Sequence, residues 1–179
     1  MKIKAGIVGA AGFAGAELTR LLLRHPSFEL CAITSDALAG RALAEVYPAF
    51  AGASDLVFSK HDKSVLADLD VVFLAVPHTA SLAMTPELIA AGTTVIDLSA
   101  DYRLKDPAIY EKWYKVAHTS TDLLAKAAFG LPELTGDELA SAAARRAAGE
   151  AVLVACAGCY PTATSLAAAP FLRAGLVEE

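Results

Sequence analysis

The sequence has few cysteines, no long apolar run and no excess of positive charge, and each absence narrows what the chain can be. Its three cysteines, Cys31, Cys156 and Cys159, form no even disulfide framework. They fit a reducing compartment, where cysteines act as core, metal-ligating or catalytic groups. Zinc is not expected, because Cys156 and Cys159 lack a second cysteine pair and His25, His61, His78 and His118 show no ligand spacing. A formal net charge of -5 offers no basic surface for phosphate backbones, so no nucleic-acid partner is expected. The apolar residues before Gly9 are too few for a signal-peptide core, and no later run approaches membrane-spanning length. A cytoplasmic chain with no membrane partner is the expectation. Repeats and low-complexity linkers are also missing.

What is present is 55% hydrophobic residues over 179 positions, enough for one full domain with a sheet buried on both faces. Residues 2–8 read as a strand, 14–24 as a helix ending before His25-Pro26, and 28–34 as a second strand. Further strands at 69–76 and 93–98 flank a helical segment at 81–91. Strand alternating with helix, and no hairpin signal, predicts an α/β fold: a Rossmann-like, doubly wound, mostly parallel sheet with helices on both faces. Ligands of such sheets lie beyond the carboxyl ends of the strands, which places Gly9, Ser35, Pro77, Ser99 and Cys159 along one edge. Residues 101–135 break the pattern, crowding Tyr102, Tyr110, Trp113 and Tyr114 among charges before a Gly130-Leu131-Pro132-Glu133-Leu134 turn. A connection of that length with that aromatic content reads as functional. The Ala-rich run 139–148, with Arg145-Arg146, reads as a surface helix.

Two motifs carry chemistry. Gly9-Ala10-Ala11-Gly12-Phe13-Ala14-Gly15 lies between the first strand and the first helix. Glycine permits a sharp turn and close approach of a pyrophosphate, and the helix start supplies N–H groups for it. The spacing departs from G-x-G-x-x-G, so a tight packing turn is the plain alternative. At the end of the second strand Asp36 stands where an acidic residue would hold a ribose 2′-hydroxyl of NAD. Ser35 and Arg41 argue the other way, toward a 2′-phosphate.

The second motif, Ala157-Gly158-Cys159-Tyr160-Pro161-Thr162, follows apolar residues 151–155 and opens a helix-like segment. At a helix N-terminus a thiol ionises more readily and a developing oxyanion finds N–H donors. Cys159 is therefore the candidate nucleophile. Cys156 reads as a small buried side chain at a strand end, a C-x-x-C redox pair being the alternative. In Asp97-Leu98-Ser99-Ala100-Asp101-Tyr102-Arg103, Arg103 is either an anion binder or the partner of a neighbouring aspartate.

Residues 9–18, Leu74-Ala75-Val76-Pro77-His78, 97–104, 130–134 and 158–162 together resemble the N-acetyl-γ-glutamyl-phosphate reductase family, along nearly the whole chain. The resemblance implies NADPH-dependent reduction of an acyl phosphate to an aldehyde in arginine biosynthesis. It implies Cys159 as nucleophile and Arg103 as the holder of the substrate phosphate. The implied cofactor-binding residues are Gly9, Ala11, Gly12, Phe13, Ala14, Gly15, Ser35, Arg41, Pro77, Ser99 and Gly158, with NADP as cofactor. Residues 1–155 would form the NADP-binding domain and 156–179 the cysteine turn and following helix. The family's second domain, with its general acid/base histidine and most of a homo-oligomer interface, is expected outside this chain. Where the family commonly has Asn-Pro before the glycine, this chain has Cys156-Ala157. Related acyl-phosphate reductases (the lysine-pathway counterpart and aspartate-semialdehyde dehydrogenase) and a non-catalytic nucleotide-binding module are the alternatives.

Overall fold

The computed structural model describes residues 1–66 and 68–177. Ala67, inside the expected 1–155 domain, and Glu178 and Glu179, at the end of the expected 156–179 segment, lie outside the described residues. The strands are β1 (Ile3–Val8), β2 (Phe28–Thr34), β3 (Val71–Leu74), β4 (Thr94–Asp97), β5 (Ala128–Gly130) and β6 (Leu153–Cys156). They form one six-stranded sheet in the order β2-β1-β3-β4-β6-β5, with each neighbouring pair parallel. The helices are α1 (Phe13–Leu23), α2 (Leu43–Val46), α3 (Lys63–Leu66), α4 (Ser81–Ala90), α5 (Pro107–Tyr114), α6 (Thr121–Lys126), α7 (Pro132–Ala147) and α8 (Cys159–Arg173).

Parallel strands bury both faces, so their side chains are apolar in both directions. Ala5, Ile7 and Val71 join Leu22 of α1, Leu43 of α2, Phe50 and Phe58 in one apolar layer. Val8, Val72, Leu74, Val95 and Leu153 join Leu82 and Leu88 of α4, Tyr110 of α5 and Leu124 of α6 in the other. The strand order reverses at β1 and β3, the switch point where a crevice opens beyond the carboxyl ends. Val8, Thr34, Leu74, Asp97, Gly130 and Cys156 end their strands on that one edge.

The expected strands at 69–76 and 93–98 are shorter, Val71–Leu74 and Thr94–Asp97. The long connection is structured: α5 and α6 occupy it, and Tyr102, Tyr110 and His118 pack edge to face in its interior. The expected turn at 130–134 is the end of strand β5 and the start of α7, which begins at Pro132 and so precedes the expected helix at 139–148. Pro132 suits a first turn, where its missing N–H leaves nothing unpaired. Thr135 kinks the helix, its Oγ1 donating to Phe129 O at 2.6 Å. Helix α8 buries none of its residues. Among the described residues no helix is long and apolar enough to cross a membrane.

Candidate active site

The glycine loop leaves β1 at the switch point. Gly9 and Ala10 donate their N–H groups to Thr34 O at 3.2 and 3.1 Å, tying the loop to the end of β2. Gly9 takes φ +81, and a Cβ there would stand 2.3 Å from Ala75 O. Gly15, one turn into α1, would place a Cβ 2.5 Å from Gly9 O. Packing of helix on strand thus requires both glycines. Gly12 differs: a Cβ would meet only Gly9 O at 3.6 Å, an ordinary contact. Gly12 is the N-cap of α1, whose first turn has neither a side-chain cap nor an acidic residue. The first N–H groups of α1, from Phe13, Ala14 and Gly15, are left for an anion from outside, and a bare Gly12 lets it approach. These features fit the pyrophosphate of a dinucleotide. Tyr47, which carried no signal in the sequence, donates its hydroxyl to Ala11 O at 2.5 Å and steadies the loop.

At the end of β2 the polar residues separate by role. Ser35 is buried and its N–H donates to Ser59 O at 2.8 Å. Asp36 is engaged by the segment after β2, its Oδ1 accepting from the His61 N–H at 3.0 Å. The His61 Nδ1 lies 2.5 Å from Thr34 Oγ1. Arg41 is exposed and pairs with Glu45 at 3.8 Å, a separation that stabilises little.

Beyond β3, Pro77 is exposed on the edge and Thr79 takes φ +73, a strained conformation for a β-branched residue. Its N–H donates to Asp101 Oδ1 at 2.7 Å, the contact that holds the strain. Asp101 belongs to a buried network that the spacing of Asp97-Leu98-Ser99-Ala100-Asp101 did not reveal. Ser81 Oγ lies 3.0 Å from Asp97 Oδ2, 2.8 Å from Asp101 Oδ2 and 2.9 Å from Ser99 Oγ. Ser99 donates its hydroxyl to Asp97 Oδ2 and its N–H to Asp97 Oδ1, both at 2.8 Å. Tyr110 donates to Asp101 Oδ1 at 2.8 Å. Burial raises the Asp97 carboxyl above the usual carboxylate range despite these donors. The four oxygen–oxygen contacts of the Ser81 and Ser99 hydroxyls exceed the two hydrogens those hydroxyls carry. Ser99, expected to face the cofactor, instead turns its side chain inward.

His118 also belongs to the interior. Its Nδ1 accepts from the Ser120 N–H at 3.2 Å, so its proton sits on Nε2 and is donated to Asp101 O at 2.9 Å. Burial lowers its basicity, in keeping with a neutral ring. A histidine with both nitrogens committed to backbone does not serve as a general base.

The cysteine turn follows β6. Gly158, with φ +86 and ψ 162, is the N-cap of α8, and Cys159 is the helix's first residue. Cys159 is exposed and unpaired, as are Cys31 and, half-buried, Cys156. Burial, followed by the nearby Asp97, pushes the Cys156 thiol up to about 11, which makes it inert near neutrality. The first turn of α8 has no side-chain cap and no acidic residue, so its N–H groups stand beside Cys159. Arg103 is close by but differently engaged than a phosphate holder: Nε donates to Cys156 O at 2.6 Å and Nη2 to Leu98 O at 2.7 Å. Among the described residues no hydrogen bond engages Nη1. A thiol at one helix start, an anion seat at another, and one shared sheet edge can support covalent chemistry beside a bound dinucleotide.

The profile of the family described as "Semialdehyde dehydrogenase, NAD binding domain" matches residues 4–142. The N-acetyl-gamma-glutamyl-phosphate reductase of Janthinobacterium sp. (strain Marseille) is 47% identical over 176 residues, 98% of this chain and 48% of that protein. The reductase of the same name from Saccharophagus degradans is 47% identical with the same coverage. The chain thus spans about half the length of the curated relatives it matches. Aspartate semialdehyde dehydrogenase II from Vibrio cholerae superposes with a TM-score of 0.69 at 16% identity, over 97% of this chain and 47% of that one. The NADP-bound aspartate semialdehyde dehydrogenase from Candida albicans gives 0.64 at 19%, over 87% and 42%. These two likenesses concern the fold. The domain is one that binds a nicotinamide cofactor.

Proposed function

The chain belongs to the semialdehyde dehydrogenase family, and from that membership we propose that it supplies the cofactor site and the nucleophile of an enzyme reducing N-acetyl-γ-glutamyl phosphate to N-acetylglutamate semialdehyde and phosphate. One observation carries the reading: an exposed cysteine opens a helix on the sheet edge that also holds the glycine loop. The identity to reductases of that name supports the substrate. A second domain with a general acid/base and a homo-oligomer interface belongs to the same reading, as does a cytoplasmic setting.

In the proposed mechanism Cys159 Sγ, as thiolate, attacks the acyl carbon, and the bond from that carbon to the bridging phosphate oxygen breaks. Phosphate leaves with that electron pair and the acyl group stays on Sγ as a thioester. The N–H groups of the first turn of α8 donate to the oxyanion formed on the way. A nicotinamide, when bound, supplies the hydride that takes the thioester to the aldehyde level and so returns the thiolate. Gly9, Ala11, Gly12, Phe13, Ala14 and Gly15 would hold its pyrophosphate, with Pro77 and the backbone near Ser99 and Gly158 along the same edge. Arg103 has its Nε edge occupied by carbonyls, so its Nη1 side is what remains for the substrate phosphate.

Within this reading the cofactor is NADP(H). Asp36 is drawn to the His61 N–H, which weakens its claim on a ribose, and exposed Arg41 can turn to a 2′-phosphate. Phosphate-dependent oxidation of N-acetylglutamate semialdehyde by the polypeptide that carries this chain tests the activity. A higher kcat/KM for aspartate semialdehyde would overturn the substrate assignment. Tighter binding of NAD(H) than of NADP(H) by calorimetry would overturn the cofactor assignment.

A further inference from the structure

The ladder between β4 and β6 ends at the pair of Asp97 and Ala155. One residue further along each strand, Leu98 and Cys156 are joined through a side chain. Both carbonyls accept from the single guanidinium of Arg103, at 2.7 and 2.6 Å. The partners are far apart in sequence, and only a planar fork with donors on neighbouring nitrogens can reach both at once. The same group fills the space beside the next residue but one. At Gly158 a Cβ would stand 2.5 Å from Nη1, 2.7 Å from Cζ and 2.9 Å from Nη2, and these are its three nearest neighbours. The face of the turn that glycine leaves bare is therefore packed by Arg103, and Cys159 follows directly.

We propose, on the reading that Cys159 is the nucleophile, that Arg103 is a positioning residue for it: the guanidinium sets the spacing of the β4 and β6 ends and braces the Gly158 turn. The thiol is thereby presented at one place relative to the first N–H groups of α8. This role is separate from phosphate binding, because it uses the Nε and Nη2 donors and needs no substrate. The positive φ of Gly158 calls for glycine in any case, and the space beside it is filled by a side chain from the loop after β4.

The three cysteines make the test internal. The 179-residue chain is labelled with N-ethylmaleimide at neutral pH and the rate read at each cysteine by peptide mass spectrometry. The unaltered chain is compared with Arg103→Ala and Arg103→Lys, each with and without millimolar guanidinium, far below denaturing concentrations. The expected result for Arg103→Ala is a fall of about tenfold at Cys159, partial recovery with guanidinium, and no change at Cys31. Arg103→Lys, with one donor head that reaches one carbonyl, falls between. A Cys159 rate in both variants within about twofold of the unaltered chain would overturn the proposal. So would parallel changes at all three cysteines that guanidinium does not reverse, since that pattern marks general loosening. If Arg103→Ala does not fold, Arg103→Lys carries the comparison. Should Cys159 of the unaltered chain label no faster than Cys31, the nucleophile assignment itself fails and the proposal with it.

Discussion

At the two ends of the ligand edge the chain uses one device, a positive-φ glycine between a strand and a helix, and packs it in opposite ways. Gly9 has φ +81 and Gly158 φ +86. Around Gly9 the neighbours are backbone, with Ala75 O and its carbonyl carbon nearest to where a Cβ would stand. Around Gly158 they are the atoms of a flexible side chain, Arg103. The first turn is fixed mainly by backbone. The second rests on one side chain, held by its bonds to the Leu98 and Cys156 carbonyls. The helices follow suit: α1 buries Gly15, Thr19 and Leu22, whereas α8 buries nothing.

The strongest way to separate the two ends is to remove the chemistry from one. Cys159→Ser in the polypeptide that carries this chain is expected to lower turnover by about 10⁴-fold or more, as removal of a covalent nucleophile does elsewhere. Cofactor affinity by calorimetry should stay unchanged, because the glycine loop is untouched. Loss of cofactor binding together with turnover would show the ends to be one site and break the comparison.

Stability discriminates next. Gly9→Ala drives a Cβ into a backbone carbonyl at 2.3 Å in addition to its φ, and should cost about 3 kcal/mol or more in urea unfolding, from backbone strain plus overpacking. Gly158→Ala carries comparable φ strain, but its Cβ meets a side chain that can shift at the expense of its bonds to Leu98 O and Cys156 O, so about 2 kcal/mol is expected. Equal costs at the two glycines would mean that side-chain packing is as stiff as backbone packing here.

Gly12→Ala sharpens the contrast within the loop. Its φ of -80 is ordinary and its Cβ would only touch Gly9 O at 3.6 Å. Stability should change by less than about 1 kcal/mol, since nothing native is displaced. Cofactor affinity should drop by about tenfold, or about 1.4 kcal/mol, because a methyl group occupies the approach of the pyrophosphate. Unchanged affinity would move the anion seat away from α1.

Which of these features the sequence announces depends on how local they are. Strand β2 at Phe28–Thr34 and the loop before α1 are legible from periodicity and glycine spacing, since both are written in consecutive residues. Strand β5 is only Ala-Phe-Gly, too short for any period, and the Gly130-Leu131-Pro132 sequence after it reads as a turn. The bonds from Arg103 to Cys156 O and from Tyr47 to Ala11 O join positions 53 and 36 residues apart, and no spacing rule reaches that far. Ser99 shows the converse: its place at a strand end was legible, but the direction of its hydroxyl depends on Asp97 being buried beneath it.

The ends differ last in buried charge, and the smallest expected effect follows from that. Asp97 lies beneath the cysteine end, with Ser81, Ser99, Asp101, Cys156 and, through Leu98, Arg103 around it. Its carboxyl is raised by burial from the ordinary value of 3.8, so the folded chain holds the proton more tightly than the unfolded chain does. The stability this contributes is fully present below the unfolded value and is lost as pH rises through the folded value. An amide in its place keeps the protonated pattern at every pH, accepting from the Ser99 N–H and donating toward Ser81. The stability difference between the unaltered chain and Asp97→Asn should therefore shift toward the variant as pH is raised from the carboxylate range to neutrality. His118 works in the opposite direction: its basicity is lowered, so its contribution is present above the ordinary value of 6.5 and is lost as pH falls. Taking the difference between the two proteins cancels it, since His118 contacts the backbone of Asp101 and not Asp97. The effect is small because the Ser99 N–H and the two serine hydroxyls partly offset burial. Thermal melts of both proteins from pH 4 to pH 8 provide the measurement. A difference that is flat with pH would mean that burial does not raise the Asp97 carboxyl in the folded chain.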